Sequence, residues 1–177
     1  MEIAFFGSGK VAERCFDVLK NLPVTIIPQM MAHKADLWVS VHWKQIFKPH
    51  QIAMPKHGIV NVHNSYLPWN KGAYACTWAI IDKCPHGATM HWIDEGVDTG
   101  PILIQRRVEV DDMDTANELY QRTANVEVEI FKIGMDMILC GDMRKLPQQP
   151  GGSLHKKKDF ERLLRAVTTS DTFVVRK

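Results

Sequence analysis

The chain has 177 residues, enough for one domain with a single hydrophobic core and a small appendage. Its apolar share of 45% and charged share of 24% are those of an ordinary globular protein. A formal charge of +2 is too small to argue for nucleic acid. Apolar runs of about six to eight residues are too short to span a bilayer. The opening MEIAFFGSGK reads as a strand and not as a signal peptide. Cys15, Cys76, Cys84 and Cys140 form no C-x-x-C or metal-type spacing. They read as buried or idle thiols in a reducing, cytoplasmic setting.

In chain order, Ile3–Phe6 is an apolar run ending in Gly7-Ser8-Gly9, which predicts a buried strand entering a tight turn. Val11, Cys15, Val18, Leu19 and Leu22 recur at helical spacing, and Pro23 stops that helix. Pro23–Ile27, Leu37–Val41 and Gly58–Val62 predict further strands, and Ala73–Ile81 an apolar helix. Two more strands, Thr89–Ile93 and Pro101–Val110, are joined by the turn-rich segment Asp94–Gly100. The clearest helix starts near Asp114, where Thr115-Ala116-Asn117-Glu118 has the form of a capping box, and ends near Gly141. The pattern predicts an α/β fold: a Rossmann-like, open, mostly parallel twisted sheet with helices on both faces. Residues 1–145 form the body of the fold. Residues 146–177 form a linker, marked by Pro147, Pro150, Gly151 and Gly152, and a tail with a small helix over Asp159–Ala166.

Residues i and i+2 of a strand share a face, so Asn61 and His63 emerge side by side at the C-terminal end of the strand over Gly58–Val62. Open α/β sheets bind ligands at that edge. The competing reading is a histidine satisfied by backbone at a strand end. Asp98 stands in what could be a solvated turn, yet it leads within a few residues into the apolar Ile102-Leu103-Ile104, which favours a partly buried acid. The loop Ser65–Gly72 follows His63 directly and is placed to shape a pocket. Amide, imidazole and carboxylate suit acyl transfer through a tetrahedral intermediate: a donor for the oxyanion, a group for the amine's proton, and an acid to orient the histidine. With no Ser or Cys in a nucleophile-elbow context, direct attack by an amine is favoured over an acyl-enzyme. Eight scattered histidines without H-E-x-x-H predict no metal site.

Asn61-Val62-His63-Asn64-Ser65-Tyr66-Leu67-Pro68, then Lys71-Gly72, then Asp94–Leu103 resembles the formyltransferase family, which holds the glycinamide ribonucleotide, methionyl-tRNA and sugar-nucleotide N-formyltransferases. The resemblance implies that Asn61 holds the formyl oxygen, His63 handles the proton and stabilises the oxyanion, and Asp98 orients His63 or a water and helps deprotonate the amine. It implies 10-formyltetrahydrofolate as donor. The pterin would lie between Trp43, Lys44, Gln45, Ile46 and Phe47 on one side and Ile93, Asp94, Glu95, Gly96 and Val97 on the other. Gly7, Ser8, Gly9, Lys10, Ser65, Tyr66 and Lys71 are the candidates for binding the acceptor.

The chain departs from the family in two places. The 25 residues between Lys10 and Asp36 leave too little length for the strand–helix–strand usually inserted there, so the sheet is expected to be truncated in its N-terminal half. The 31 residues from Pro147 to Lys177 cannot supply the tRNA-binding barrel of the methionyl-tRNA enzymes. The expected acceptor is therefore a small phosphorylated or nucleotide-linked amine, with an amino sugar preferred to glycinamide ribonucleotide or methionyl-tRNA. Lys156–Lys158 could attract a phosphate, though a solvated charge run explains them as well.

A nicotinamide-binding protein is the rival, because Gly7-Ser8-Gly9-Lys10-Val11-Ala12 fits G-x-G-x-x-A. The acid that reads the ribose is missing, since Ile27-Pro28-Gln29 stands at the end of the second strand. An inactive folate-binding relic is disfavoured by the complete Asn61–His63–Asp98 set. Finally, the long helix that starts near Asp114 is about 26 residues, or about 40 Å, with Ile130–Leu139 apolar on more than one face. The surplus surface calls for a homodimer or for the tail to fold back over it.

Overall fold

The computed structural model describes residues 1–169. The part of the predicted tail beyond residue 169 lies outside them. The elements run β1 (Glu2–Gly7), α1 (Lys10–Lys20), β2 (Thr25–Ile27), a 3₁₀ helix (Gln29–Lys34), β3 (Leu37–Val41), α2 (Pro49–Ile52), β4 (Ile59–His63), β5 (Lys71–Gly72) and α3 (Ala75–Asp82). They continue with β6 (His86–Trp92), β7 (Ile102–Val108), α4 (Ala116–Leu139), β8 (Leu154–His155) and α5 (Lys157–Thr169).

Six strands form one sheet in the order β2-β1-β3-β4-β6-β7. β1 pairs in parallel with β2 and β3, and β3 with β4, whereas β6 runs antiparallel to both neighbours. The expected open, mostly parallel sheet is therefore present. Its shortened N-terminal half consists of the three-residue β2 and the 3₁₀ helix between α1 and β3.

The alternation within each strand sends side chains to two cores. Val39, Val41, Val60, Val62 and Met90 meet Val11, Cys15 and Leu19 of α1 and Ile130, Phe131, Met135 and Ile138 of α4. On the other face, Phe6, Trp38 and Phe47 pack with ring centroids 5.0–5.8 Å apart, beneath the 3₁₀ helix and Ile52 of α2. Gly134 lets α4 lie directly on β6: a Cβ there would stand 2.3 Å from the sulfur of Met90.

Thr115 caps α4 as expected: its hydroxyl accepts from the Glu118 N–H, and Glu118 reaches back to the Thr115 N–H at 2.9 Å. Most of the apolar surface of this helix is packed within the fold. α1, α3, β6 and β7 all pack on α4. Its exposed positions are Asn117, Glu118, Gln121, Arg122, Asn125, Glu129, Lys132 and Asp136, all polar. Val126, Val128 and Met137 are packed against the core. Ile133 and Leu139 stay half-buried outside these core clusters.

β6 also begins earlier than the apolar run suggests, at His86. His86 is 2% exposed, and its Nε2–H donates to the Thr123 hydroxyl of α4 at 3.0 Å. A polar residue satisfied across 37 positions reads as a turn in the sequence. Its Nδ1 has no partner, and burial, followed by the charges of His63 and Arg122, lowers its pKa to about 4. Because the unfolded chain takes up that proton first, stability is full above about pH 6.5 and falls as pH drops towards 4. The loss is on the order of 3 kcal/mol at most. Thermal midpoints measured between pH 7.5 and 4 should show the fall, and His86→Gln should flatten it.

Candidate active site

Asn61 and His63 lie at the C-terminal end of β4, as the strand pattern requires. Across the ladder, Asn61 faces His91 of β6 and His63 faces Thr89. A bulge between Met90 and His91 interrupts the β6–β7 register at this level. The His91 Nδ1–H donates to the Trp92 carbonyl at 2.9 Å, so its Nε2 accepts from the Asn61 amide at 3.2 Å. One amide N–H of Asn61 is thereby held, and the second is left for a ligand oxygen. The His63 Nε2–H donates to the Asn70 carbonyl at 3.1 Å.

Asp98 arrives on the β6–β7 turn, which is closed by Asp94 accepting from Thr99 at 2.6 Å and from the Gly96 N–H at 3.1 Å. Its backbone is left-handed, with φ 52°. One carboxylate oxygen lies 3.7 Å from His63 Nε2 and accepts the Gly72 N–H at 2.8 Å. The other lies 3.5 Å from His91 Nε2. Burial works to raise this carboxyl's pKa, but the neighbouring imidazoles of His63 and His91 and the Gly72 N–H outweigh it. Asp98 is held well below the ordinary carboxylate range. It is ionised throughout the neutral range and places a fixed negative charge beside His63 and His91.

These three groups open into one cleft of about 760 Å³. Its walls include Trp43, Lys44, Gln45, Ile46 and Phe47 on one side and Ile93, Asp94, Gly96 and Val97 on the other. Glu95 is exposed on the same turn but does not line the cleft. Ile46 is 80% exposed and Val97 41%, so two large apolar groups stand open at the walls, as a flat ring ligand requires.

The acceptor candidates divide. Gly7, Ser8 and Gly9 line a separate recess of about 390 Å³, walled by Phe5, Phe16, Ile26 and Ile27. Lys10 is exposed at the start of α1 and lines neither recess. Ser65 and Tyr66 do not reach the cleft. Ser65 is fully buried with its carbonyl accepting from Thr89 at 2.7 Å, and Tyr66 lies under the Arg107 guanidinium at 4.9 Å. Strand-end geometry turns the loop inward here, so sequence adjacency to His63 misleads. Lys71 is half-buried beside Gly72, which does line the cleft.

The structure adds residues that the sequence did not single out. His91 is one; its only sequence signal is a polar residue inside the apolar run of β6. Leu154 and His155 of the tail also line the cleft, next to Lys156 and Lys157 of the charge run already named as able to attract a phosphate. So does His42, whose Nε2 stands 2.6 Å from a carboxylate oxygen of Glu127, which is fully buried on α4. Burial lowers the His42 pKa, but the hydrogen bond and charge of Glu127 prevail and raise it. The 85 positions between the two residues hide this pair from any local pattern. The buried thiols Cys15 and Cys76 are pushed up to about 12, mainly by burial, and so supply no thiolate nucleophile. Among the described residues no group of three or more His, Cys, Asp or Glu could hold a metal ion, and no helix is long and apolar enough to cross a membrane.

The family model for formyl transferases matches residues 4–133. The chain belongs to the formyl transferase family. It is 32% identical over 157 residues to methionyl-tRNA formyltransferase from Lachnospira eligens, covering 80% of the chain and 50% of that protein. It is 34% identical over 135 residues to dTDP-4-amino-4,6-dideoxyglucose formyltransferase from Mycobacterium bovis, covering 76% and 57%. The chain thus spans about half the length of the curated relatives it matches. Among solved structures, the formyltransferase PseJ from Anoxybacillus kamchatkensis superposes with a TM-score of 0.83 at 31% identity, covering 96% of this chain and 93% of that one. PseJ was crystallised with UDP-4,6-dideoxy-4-formamido-L-AltNAc and tetrahydrofolate.

Proposed function

We propose that this formyl transferase family member moves a formyl group from 10-formyltetrahydrofolate to the amine of a nucleotide-linked amino sugar. The observation that carries the reading is the convergence of Asn61, His63 and Asp98 on one cleft whose far wall is the tail segment Leu154–Lys157. Similarity to PseJ over nearly the whole of both chains supports the sugar-nucleotide acceptor. Lys44, Lys156 and Lys157 around the cleft supply positive charge for a diphosphate.

The folate supplies the formyl carbon, and the exposed apolar walls at Ile46 and Val97 suit its pterin. Asn61 donates its free amide N–H to the formyl oxygen. As the acceptor nitrogen bonds to the formyl carbon, the carbonyl electron pair moves to oxygen, where N–H donors of Asn61 and His63 stabilise it. Asp98 takes the proton released by the attacking nitrogen, directly or through a water. When the bond from carbon to the folate nitrogen breaks, His63 gives a proton to that leaving nitrogen and is resupplied with the one Asp98 took, so none is left over.

The test is a screen of amino-sugar nucleotides, glycinamide ribonucleotide and methionyl-tRNA with 10-formyltetrahydrofolate, read by mass spectrometry of the acceptor. Turnover of an amino-sugar nucleotide is expected; formylation of methionyl-tRNA alone overturns the acceptor class. Tryptophan fluorescence should be quenched by reduced folate and not by NADH, because Trp43 lines the cleft. The opposite result would favour a nicotinamide site.

A further inference from the structure

We infer that residues 146–155 form a strap across the catalytic edge, with Gln148 and Ser153 acting as positioning residues for Asp98 and His63. The inference rests on the catalytic roles proposed above, and the strap lies beyond the residues matched by the family model.

The strap is tied down in three places. Leu146 exchanges both backbone hydrogen bonds with Ile102, at 2.7 and 2.9 Å, at the start of β7. Gln148 then donates its side-chain amide to the carbonyls of Asp98 and Gly100, at 2.8 Å each. Those two carbonyls flank the left-handed turn that aims the Asp98 carboxylate. A non-glycine residue holds such a φ only when its surroundings fix it.

Ser153 does the same for the histidine. Its hydroxyl accepts the Asn70 N–H and donates to the Asn70 side-chain oxygen, both at 2.9 Å. Asn70 is fully buried, also left-handed at φ 52°, and its carbonyl is the group that receives the His63 Nε2–H. Fixing Asn70 at both ends therefore fixes the imidazole.

β8 completes the frame. It pairs in parallel with β5, the Lys71 N–H going to the Ser153 carbonyl at 3.0 Å and the Ala73 N–H to the His155 carbonyl at 2.8 Å. Alternation along the ladder leaves the Gly72 N–H between them facing the other way, onto Asp98. Gly72 has φ 91°, and a Cβ there would stand 2.3 Å from the His155 carbonyl oxygen. One continuous segment thus holds the backbone of Asp98, a donor to its carboxylate, and the acceptor of His63. Neither Gln148 nor Ser153 lines the cleft, so they act through these partners and not on substrate.

The experiment compares Ser153→Ala, Ser153→Thr and Gln148→Ala in the full chain. It adds Ser153→Ala in a His63→Ala background and Gln148→Ala in an Asp98→Asn background. Each alanine variant is expected to lower kcat by about tenfold, the scale for a catalytic group displaced by a fraction of an ångström. The Kd for reduced folate should stay within about twofold, and Ser153→Thr, which keeps the hydroxyl, should restore kcat. In the backgrounds lacking the partner, each should cost no further activity. Independently of turnover, the ring ¹H–¹⁵N signals of His63 in histidine-labelled protein should move in Ser153→Ala and return in Ser153→Thr. Unmoved His63 signals with unchanged kcat overturn the strap, as does an equal loss in the His63→Ala background. A wild type without turnover whose His63 signals still respond to Ser153→Ala supports the strap and counts against the proposed reaction.

Discussion

His63→Ala lowers kcat by a hundredfold or more, on the order expected for removing a general acid–base group together with an oxyanion donor, while the Kd for reduced folate changes little. The imidazole is 7% exposed and held by Asn70, so its removal takes away a fixed donor that water cannot replace in position. Asp98→Asn has a loss of similar size. The amide retains the shape but not the negative charge that faces the His63 imidazole 3.7 Å away and can take up the amine's proton in the proposed reaction. Folate binding should survive both changes, because the proposed pterin walls, Trp43–Phe47 with Ile93, Asp94, Gly96 and Val97, stand on other strand ends. Steady-state kinetics with a responsive acceptor and tryptophan quenching by reduced folate separate the two effects. A near wild-type kcat in His63→Ala would falsify the assigned role.

The second large effect is on stability. Phe131→Ala is expected to cost roughly 3–5 kcal/mol, the range for emptying a large aromatic site in a close-packed interior. Phe131 is fully buried on α4 among the core residues that bind the helix to the sheet. Against a total stability of about 5–15 kcal/mol, this is a large fraction. Lys132→Ala, the exposed next position, should change stability by no more than about 0.5 kcal/mol. Urea unfolding with equal m-values measures both. If the two variants unfold at similar denaturant concentrations, α4 does not anchor the core as described.

Part of the site was legible because its signals are local. Asn61 and His63 share a face by the two-residue period of a strand, and β4 delivers them to its C-terminal end. Thr115 and Glu118 meet through the three-residue spacing of a helix start. His91 was missed because it meets Asn61 only through the register of an antiparallel ladder, which spans 30 positions. Nearness to His63 in the chain did not show that Ser65 and Tyr66 contact Thr89 and Arg107. The apolar faces of the long helix could not be assigned to neighbours from the sequence, because periodicity counts apolar positions but does not say how many neighbours surround them. With α1 on one flank and α3 on the other, α4 needs more than one apolar face.

The sequence by itself determined the order and kind of the main elements and the strand end that carries the amide and imidazole. The two glycines around Asp98 likewise marked its turn. Those properties depend on residue spacing of two to four positions and on turn chemistry, which a chain carries before it folds. Only the tertiary structure decided that β6 runs against its neighbours and brings His91 to Asp98. Only there does the segment from Leu146 to His155 return over the catalytic edge to hold Asp98 through Gln148 and Asn70 through Ser153. Such contacts join residues 50 and 83 positions apart, and their geometry is set by how layers stack and ladders register. No local pattern encodes that, because burial and hydrogen bonding reward the whole arrangement at once.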